Sequence, residues 1–318
     1  MKMKKMKRTI LTVTLNPAID KTITAQQTKK RDGFVGQWRI SAGGKGINVS
    51  RVLKDLKCKT CAAGFAGGAT GAQLKELLRK ENIPFDLTHI REETRVNLTI
   101  INTATQKANR SISPGPRAGK NELAHFKTKF KKLLKGCGWV VFSGRNILGA
   151  PDPMYQGLIK TAQAQHVKTA LDSHSAPFSL GLQAKPFLVK PNREEAEAFL
   201  KIKLNSKEKW REALRLLLKK GARFALISLG DKGAVGSDGK DLYWAHPPKV
   251  KAVNHVGCGD AFLAGFIYAF EKDRGFKDAL VWAVACGTAY TLQLPGLKQR
   301  VSRARIEKIK DKVKVTRF

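Results

Sequence analysis

The chain has 318 residues, 42% apolar and 27% charged, which is enough to bury a substantial core and too apolar for a disordered chain. No apolar run approaches the roughly 20 residues of a membrane span, and basic residues 1–8 lead into an alternating stretch rather than a signal peptide, so a cytoplasmic, membrane-free protein is expected. Sixty basic against 25 acidic residues give a net charge of +35 and a pI near 10.3, but the lysines are spread along the chain, which predicts weak, salt-sensitive polyanion binding and no specific nucleic-acid partner.

In chain order, short apolar runs rich in β-branched or aromatic residues predict strands at 9–15, 60–65, 139–143, 167–171, 186–190 and 224–229. Helical periodicity at 46–56, 72–80, 123–134, 154–163, 194–200 and 210–219 fills the gaps between them. In the helix around 121–135, Leu123, Phe126, Phe130, Leu133 and Leu134 keep helical spacing, while lysines fall largely between them as a solvated face. Beyond residue 259 the chain reads as helices to its end, including 261–270 and 278–292. Near-continuous apolar strands separated by helices predict an α/β sandwich around a mainly parallel sheet. Two stretches, about 16–41 and 92–113, alternate apolar with polar residues and carry no helical period. They are expected to pair into a small antiparallel sheet, a lid on one edge of a single domain spanning residues 1–318.

Five cysteines, an odd number and scattered, do not form a disulfide framework. Cys58 and Cys61 form a C-x-x-C without a second ligand pair, and core packing is expected of them rather than a metal or redox role. Nor do the six histidines cluster; His255, beside a glycine turn, is read as a spacer.

Four motifs carry chemistry. Gly257-Cys-Gly-Asp260 opens an apolar helical run, so the first amides of that helix would face outward as an anion site with Asp260 beside them. An anion cradle touching a carboxylate suits phosphoryl transfer to a hydroxyl; the alternative is a glycine turn with an N-capping aspartate. Gly43-Gly-Lys-Gly-Ile-Asn48 opens a second helix, where paired glycines would let backbone approach a ligand and Asn48 would offer a donor and an acceptor to sugar hydroxyls; the alternative is a simple glycine turn. It is not a Walker A loop, since Lys45 is followed by glycine. Asn192 and Glu195 would share one face of a helix after a strand, either holding a water-rich Mg²⁺ or simply capping that helix. Ser228-Leu-Gly-Asp-Lys-Gly233 runs from a strand into a glycine turn.

Together and in this order, these motifs resemble the phosphofructokinase B sugar kinases of ribokinase-like fold, from Thr14 to about Gly296. Thr14-Leu-Asn-Pro-Ala-Ile-Asp20, Thr94-Arg-Val-Asn97, Pro114-Gly-Pro116 and Lys190-Pro-Asn-Arg-Glu194 are similar to the branch of 1-phosphofructokinases, tagatose-6-phosphate kinases and the minor 6-phosphofructokinase. The resemblance implies that Asp260 is the catalytic base and that the amides of Gly257, Cys258 and Gly259 form the anion hole. Asp20, Gly43, Gly44, Lys45 and Asn48 would hold the sugar, with Arg95 near its phosphate. ATP would meet Lys190, Asn192, Ser228, Gly230 and Gly233, with Mg²⁺ organised by Asn192 and Glu195. The family's lid supplies Asp20 and often joins two subunits, which is consistent with a homodimer.

Three departures from the family pattern bear on the substrate. Cys258 replaces alanine or serine, tolerable where only backbone amides are used. Thr99 stands where 1-phosphofructokinases usually carry a basic residue, and Ser143-Gly-Arg-Asn-Ile-Leu-Gly149 puts Arg145 and Asn146 where small or apolar residues are usual. Arginine's planar fork suits a phosphate, so Arg95 and Arg145 are expected to recognise one on the acceptor. The expected reaction converts fructose 1-phosphate to fructose 1,6-bisphosphate, with tagatose 6-phosphate and fructose 6-phosphate as alternative acceptors. A catalytically silent kinase fold that binds nucleic acid is the rival from another class; intact Asp260, Gly257 and Gly259 speak against it.

Overall fold

The computed structural model describes residues 8–27, 34–102, 105, 108–253, 256–293 and 302–318; His255 lies outside them. A series of parallel crossovers begins with β1 (Thr9–Thr14), α1 (Lys45–Asp55), β4 (Thr60–Gly67), α2 (Gly68–Lys80) and β5 (Phe85–Ile90), with β2 (Ala18–Gln27) and β3 (Phe34–Gly43) inserted after β1. After β6 (Arg95–Asn102) and β7 (Ala108–Ser111), helix α3 (Lys120–Leu133) leads to β8 (Cys137–Ser143) on the other side of β1. Then follow α4 (Met154–Gln163), β9 (Lys168–Asp172), α5 (Ser175–Gln183), β10 (Leu188–Val189), α6 (Arg193–Leu200), α7 (Lys207–Lys219) and β11 (Phe224–Ser228). The chain finishes with β12 (Ala234–Ser237), β13 (Leu242–His246), α8 (Cys258–Phe270), α9 (Gly275–Thr291), α10 (Arg303–Lys310) and β14 (Lys314–Arg317).

The large sheet has the order β14-β13-β12-β11-β10-β9-β8-β1-β4-β5. From β5 to β11 every pairing is parallel, and the hairpin β12–β13 with β14 adds an antiparallel edge. Strand order reverses at β1 and β8, and a ligand crevice forms at the carboxyl ends of strands beside such a switch point.

Alternate residues of each strand feed opposite cores. Leu11, Val13, Phe65 and Phe142 pack under α3 to α7, with Phe126, Phe130 and Tyr155 continuing a chain of ring contacts. Ile10, Trp139, Val141 and Leu226 pack under α1, α8, α9 and α10. Each large side chain buried this way contributes roughly 1.5–3 kcal/mol. Cys58 and Cys61 are partly buried and packed against these cores, as core packing requires. Helix α8 is apolar all round because it is covered all round: its residues from Asp260 to Ala269 are buried, and Gly265 lets α9 approach so closely that a Cβ would sit 2.6 Å from Cys286 Sγ.

The structure corrects the sequence reading in four places. The small sheet is mixed, in the order β3-β2-β6-β7: β2 pairs antiparallel with β3 but parallel with β6, and only β6–β7 is antiparallel again. The C-terminal region ends in a strand, β14, paired to β13 rather than in helix. Proline at 186 and 191 brackets the run expected at 186–190 and limits regular pairing to Leu188–Val189. Helix α2 starts at Gly68, four residues before its periodicity, because the Glu93 carboxylate accepts from the amides of Ala69 (2.8 Å) and Thr70 (2.9 Å) at its exposed N-terminus.

Candidate active site

Two helices begin at the crevice on glycine with no side-chain cap. Gly257 precedes α8 in the left-handed region (φ 78°), where a Cβ would sit 2.8 Å from the Tyr290 ring. Gly44 precedes α1 at φ 128°, and a Cβ there would meet the Thr14 methyl at 2.8 Å. Helices α6, α7 and α10 instead use Asn192, Ser206 and Ser302 as side-chain caps. Glycine at α1 and α8 leaves first-turn amides and the positive end of the dipole facing the crevice, the arrangement an anion requires.

Asp260 lies in the first turn of α8, only 5% exposed, and its Oδ2 accepts a 2.8 Å hydrogen bond from Asn48 Nδ2 on α1. Around it is a buried charge cluster. Asp172, at the end of β9, receives Lys45 Nζ at 3.1 Å on Oδ1 and Lys190 Nζ at 3.3 Å on Oδ2. Glu195 Oε1 is 3.5 Å from the same Lys45 Nζ. The Lys190 ammonium also lies 3.5 Å from where a Cβ of Gly259 would be, so it stands over the first turn of α8.

Burial pushes the Asp260 carboxyl up to about 7, and repulsion from Asp172 adds to it, against the pull of Lys45, the Asn48 hydrogen bond and Lys190. Burial also raises Asp172, but Lys190 and Lys45 outweigh it and hold that carboxyl below its usual range. Burial drags the Lys45 ammonium down, yet Asp172, Glu195 and Asp260 together hold it above its ordinary value. Two carboxylates that face the same lysines are thereby driven apart: Asp172 is held as the anion, while Asp260 can take up a proton near neutrality.

The second wall of the crevice comes from the small sheet. Asp20 on β2 accepts from Asn97 Nδ2 at 2.8 Å and lies so close over Gly43 that a Cβ there would meet its carboxylate at 2.2 Å. Buried Thr14 Oγ1, Asn16 Oδ1, Asn97 Oδ1 and Ser143 Oγ have no hydrogen-bond partner among the described residues, and a buried polar atom of this kind can be satisfied by a polar ligand. Arg95, expected at the sugar phosphate, donates to the carbonyls of Asn16 (2.9 Å), Pro17 (3.4 Å) and Ser113 (3.0 Å), so it also ties the small sheet to the end of β1. Arg145 is exposed after β8 and donates from Nε to His174 Nε2 at 3.2 Å. Burial, with Lys45 and Arg145 nearby, holds His174 below its usual value and thus neutral, able to accept that bond. Burial lowers the Arg95 guanidinium as well; Asp20 opposes this and Arg145 adds to it, placing both arginines within electrostatic reach of each other.

At the far end, the backbone of Ser228 bridges that of Asn192, and Leu229 N donates to Gly233 O at 2.8 Å to close a loop through Gly230 (φ 66°). Gly233 has φ 86° and no room for a side chain, since a Cβ would lie 2.0 Å from Ala245 O. Asn192 and Glu195 form a reciprocal capping box: Glu195 N donates to Asn192 Oδ1 (2.7 Å) and Asn192 N to Glu195 Oε2 (2.9 Å). The cap is formed, and Glu195 Oε1 still faces Lys45.

Sequence reasoning did not single out Asp172 or Arg51. Asp172 had a legible signal, a carboxylate ending an apolar strand of the parallel sheet. Lys190, assigned to ATP by resemblance, is 3% exposed and lies between Asp172 and Gly259.

A glycine-opened helix start able to receive an anion, against a buried carboxylate able to accept a proton, on a sheet of this topology defines an ATP-dependent sugar kinase of ribokinase-like fold. The comparisons agree. The sequence model of the pfkB family carbohydrate kinases matches residues 13–296, and the chain belongs to that family. It is 31% identical to the 1-phosphofructokinase of Borreliella burgdorferi over 94% of this chain and 99% of that one. The Bacillus subtilis 1-phosphofructokinase is 30% identical over 97% and 100%. The crystal structure of Escherichia coli phosphofructokinase-2 in complex with potassium superposes with a TM-score of 0.89 at 28% identity, covering 96% of this chain and 99% of that one.

Proposed function

We propose that the protein transfers the γ-phosphoryl group of ATP to fructose 1-phosphate, giving fructose 1,6-bisphosphate. The observation that carries this reading is Asp260, buried at the unoccluded start of α8 and held ready to accept a proton near pH 7. Asp260 removes the proton of the acceptor hydroxyl as its oxygen bonds to the γ-phosphorus and the bond to ADP breaks. The amides of Gly257, Cys258 and Gly259, with Lys190 above them, hold the charge on the migrating group. Asp20, Asn48 and the backbone at Gly43 and Gly44 orient the sugar, and Lys45 fixes Asp172 beside it. Ser228, Gly230 and Gly233 line the nucleotide end, with the Lys190–Asn192 segment between it and the base.

A magnesium ion that keeps most of its water needs only one or two carboxylates beside the phosphates. Glu195 fits, because its capping box uses one oxygen and leaves the other toward the lysine cluster. Glu195, oriented by Asn192, would hold the ion, which would neutralise phosphate charge.

Arg95 and Arg145, close enough to repel each other, support an acceptor that already carries a phosphate. Relatives named 1-phosphofructokinase favour fructose 1-phosphate. Others named tagatose-6-phosphate kinase and ATP-dependent 6-phosphofructokinase isozyme 2 keep those two acceptors as the second reading. On the small sheet, Trp38 (61% exposed) and Ile40 present an apolar outer face that supports a homodimer there. No helix among the described residues is long and apolar enough to cross a membrane.

A coupled assay with MgATP against fructose 1-phosphate, fructose 6-phosphate, tagatose 6-phosphate and free fructose tests the assignment. Fructose 1-phosphate should show the highest kcat/KM; comparable kcat/KM for free fructose would contradict phosphate recognition.

A further inference from the structure

Asn48 touches Asp260 through one end of its amide; the other end meets an arginine outside the motifs described so far. Arg51, one turn further along α1, is 11% exposed in its side chain and donates from Nη1 to Asn48 Oδ1 at 2.6 Å. Its Nε and Nη2 grip Glu81, just past α2, at 2.5 and 3.1 Å, and Nη2 also donates to Ala42 O at 2.8 Å. Ala42 directly precedes Gly43, over which Asp20 rests. The Tyr290 hydroxyl is hydrogen-bonded to the same guanidinium, and its ring lies against Gly257.

We infer that Arg51 is the positioning residue that fixes the Asn48 amide and, through it, the Asp260 carboxylate. A guanidinium has only donors and keeps its charge in a protein. The Asn48 atom facing it must therefore be the oxygen, which forces the amide nitrogen toward Asp260 Oδ2 at 2.8 Å. A flipped amide would set NH₂ against the guanidinium and oxygen against the carboxylate, two repulsive contacts in place of two hydrogen bonds. With Oδ2 occupied, Asp260 Oδ1 remains for the acceptor proton. The bidentate grip of Glu81 locks the guanidinium plane, so the order runs from Glu81 to Arg51 to Asn48 to the base. Asp260 is also faced by Lys45 from α1, Asp172 from β9, Lys190 after β10, Tyr290 from α9 and Cys258 of its own helix. Among these partners Asn48 donates a hydrogen bond to the Asp260 carboxylate, and its amide would swap a donor for an acceptor if flipped; Arg51 decides which way it faces.

This inference rests on Asp260 being the base, and the test separates the two. Protein labelled with ¹³C at aspartate carboxyls is titrated by NMR, the Asp260 signal being assigned by its loss in Asp260→Asn. Arg51→Met/Glu81→Gln removes both charges so that neither is left buried and unpaired, and Arg51→Lys retains a charge without the fork. In both, loss of one oriented donor to the ionised form should move the Asp260 titration upward by about one unit, less in Arg51→Lys. kcat for fructose 1-phosphate should fall about 5-fold at pH 7 in the double variant and less in Arg51→Lys, and recover toward wild type by about pH 9 in both, with KM for ATP unchanged. A purely structural Arg51 would lower the melting temperature and leave both the titration and the pH profile in place. If Asp260→Asn is inactive but the titration and acid limb of each folded Arg51 variant stay within about 0.2 unit of wild type, the inference is overturned and the base stands. If Asp260→Asn is active, the base assignment fails, and the carboxyl titration alone still decides whether Arg51 orients that carboxylate.

Discussion

The two walls of the crevice are built on opposite plans. The wall formed by α1, α8 and the ends of β9 and β10 is buried, and its charged groups answer one another: Asp172 with Lys45 and Lys190, Asn48 with Asp260 and Arg51. The wall formed by the small sheet is thin. Every residue of β6 is partly exposed and much of the described outer surface of β3 is open; the sheet is tied to the main body by a small apolar cluster, Ile19 and Ala42 against Ile47, Ala66 and Leu74, and by Arg95 donating to backbone carbonyls. Chemistry that depends on a shifted carboxyl needs low dielectric and fixed partners, and the first wall supplies both. A wall that must admit and release a sugar gains from fewer buried contacts, because local opening then costs less.

Breaking the first wall should have the largest effect. Asp172→Asn leaves the buried Lys190 ammonium and the partly exposed Lys45 ammonium without their shared anion, and removal of one member of a buried ion pair such as Lys190–Asp172 costs about 3–5 kcal/mol. Thermal unfolding should show the loss directly, and turnover should fall with it. An unchanged melting temperature would mean that the lysines find water or Glu195 instead.

A smaller and more selective effect is expected in the second wall. A hydrogen bond to a charged partner contributes roughly 1.5–3 kcal/mol, or about 10–150-fold in affinity. Arg95→Ala should raise KM for fructose 1-phosphate by about that factor and leave KM for ATP unchanged. Equal increases in both would point to a displaced sheet rather than a lost phosphate contact.

The smallest effect separates Arg145 from Arg95. Arg145 is exposed and held by one neutral partner, His174, so Arg145→Ala should raise sugar-phosphate KM by about 10-fold and leave stability untouched. No change in KM would return Arg145 to the surface.

The first wall was also the more legible in sequence. Glycine turns opening helices at Gly43 and Gly257 are local signals, and apolar runs marked most of the central strands. What escaped was decided by distant partners. Strand β5 alternates at the sheet edge and β14 is four largely exposed residues; each is a strand because a neighbour pairs with it. Helix α5 contains Pro177 and Gly181 and lacks a clear apolar stripe, so its pattern did not announce a helix. The parallel β2–β6 pairing joins segments some seventy residues apart in the chain, and no turn motif encodes it. Arg51 carries no signal of its own in the sequence; its partners Glu81, Asn48 and Ala42 come together only in the folded chain.

The central claim is that Asp260 is the base and is poised by its surroundings. A group raised to about 7 must lose its proton before it can act, so kcat/KM in the free enzyme should rise with pH through that region and level off above it. The most direct test is the pH profile of kcat/KM for fructose 1-phosphate in wild type and in Asp260→Asn. The account predicts an acid limb near pH 7 in wild type, and in the variant a rate lower by about 10²–10⁴-fold with no such limb. A variant that keeps more than about a tenth of the wild-type rate, with the same acid limb, would contradict it.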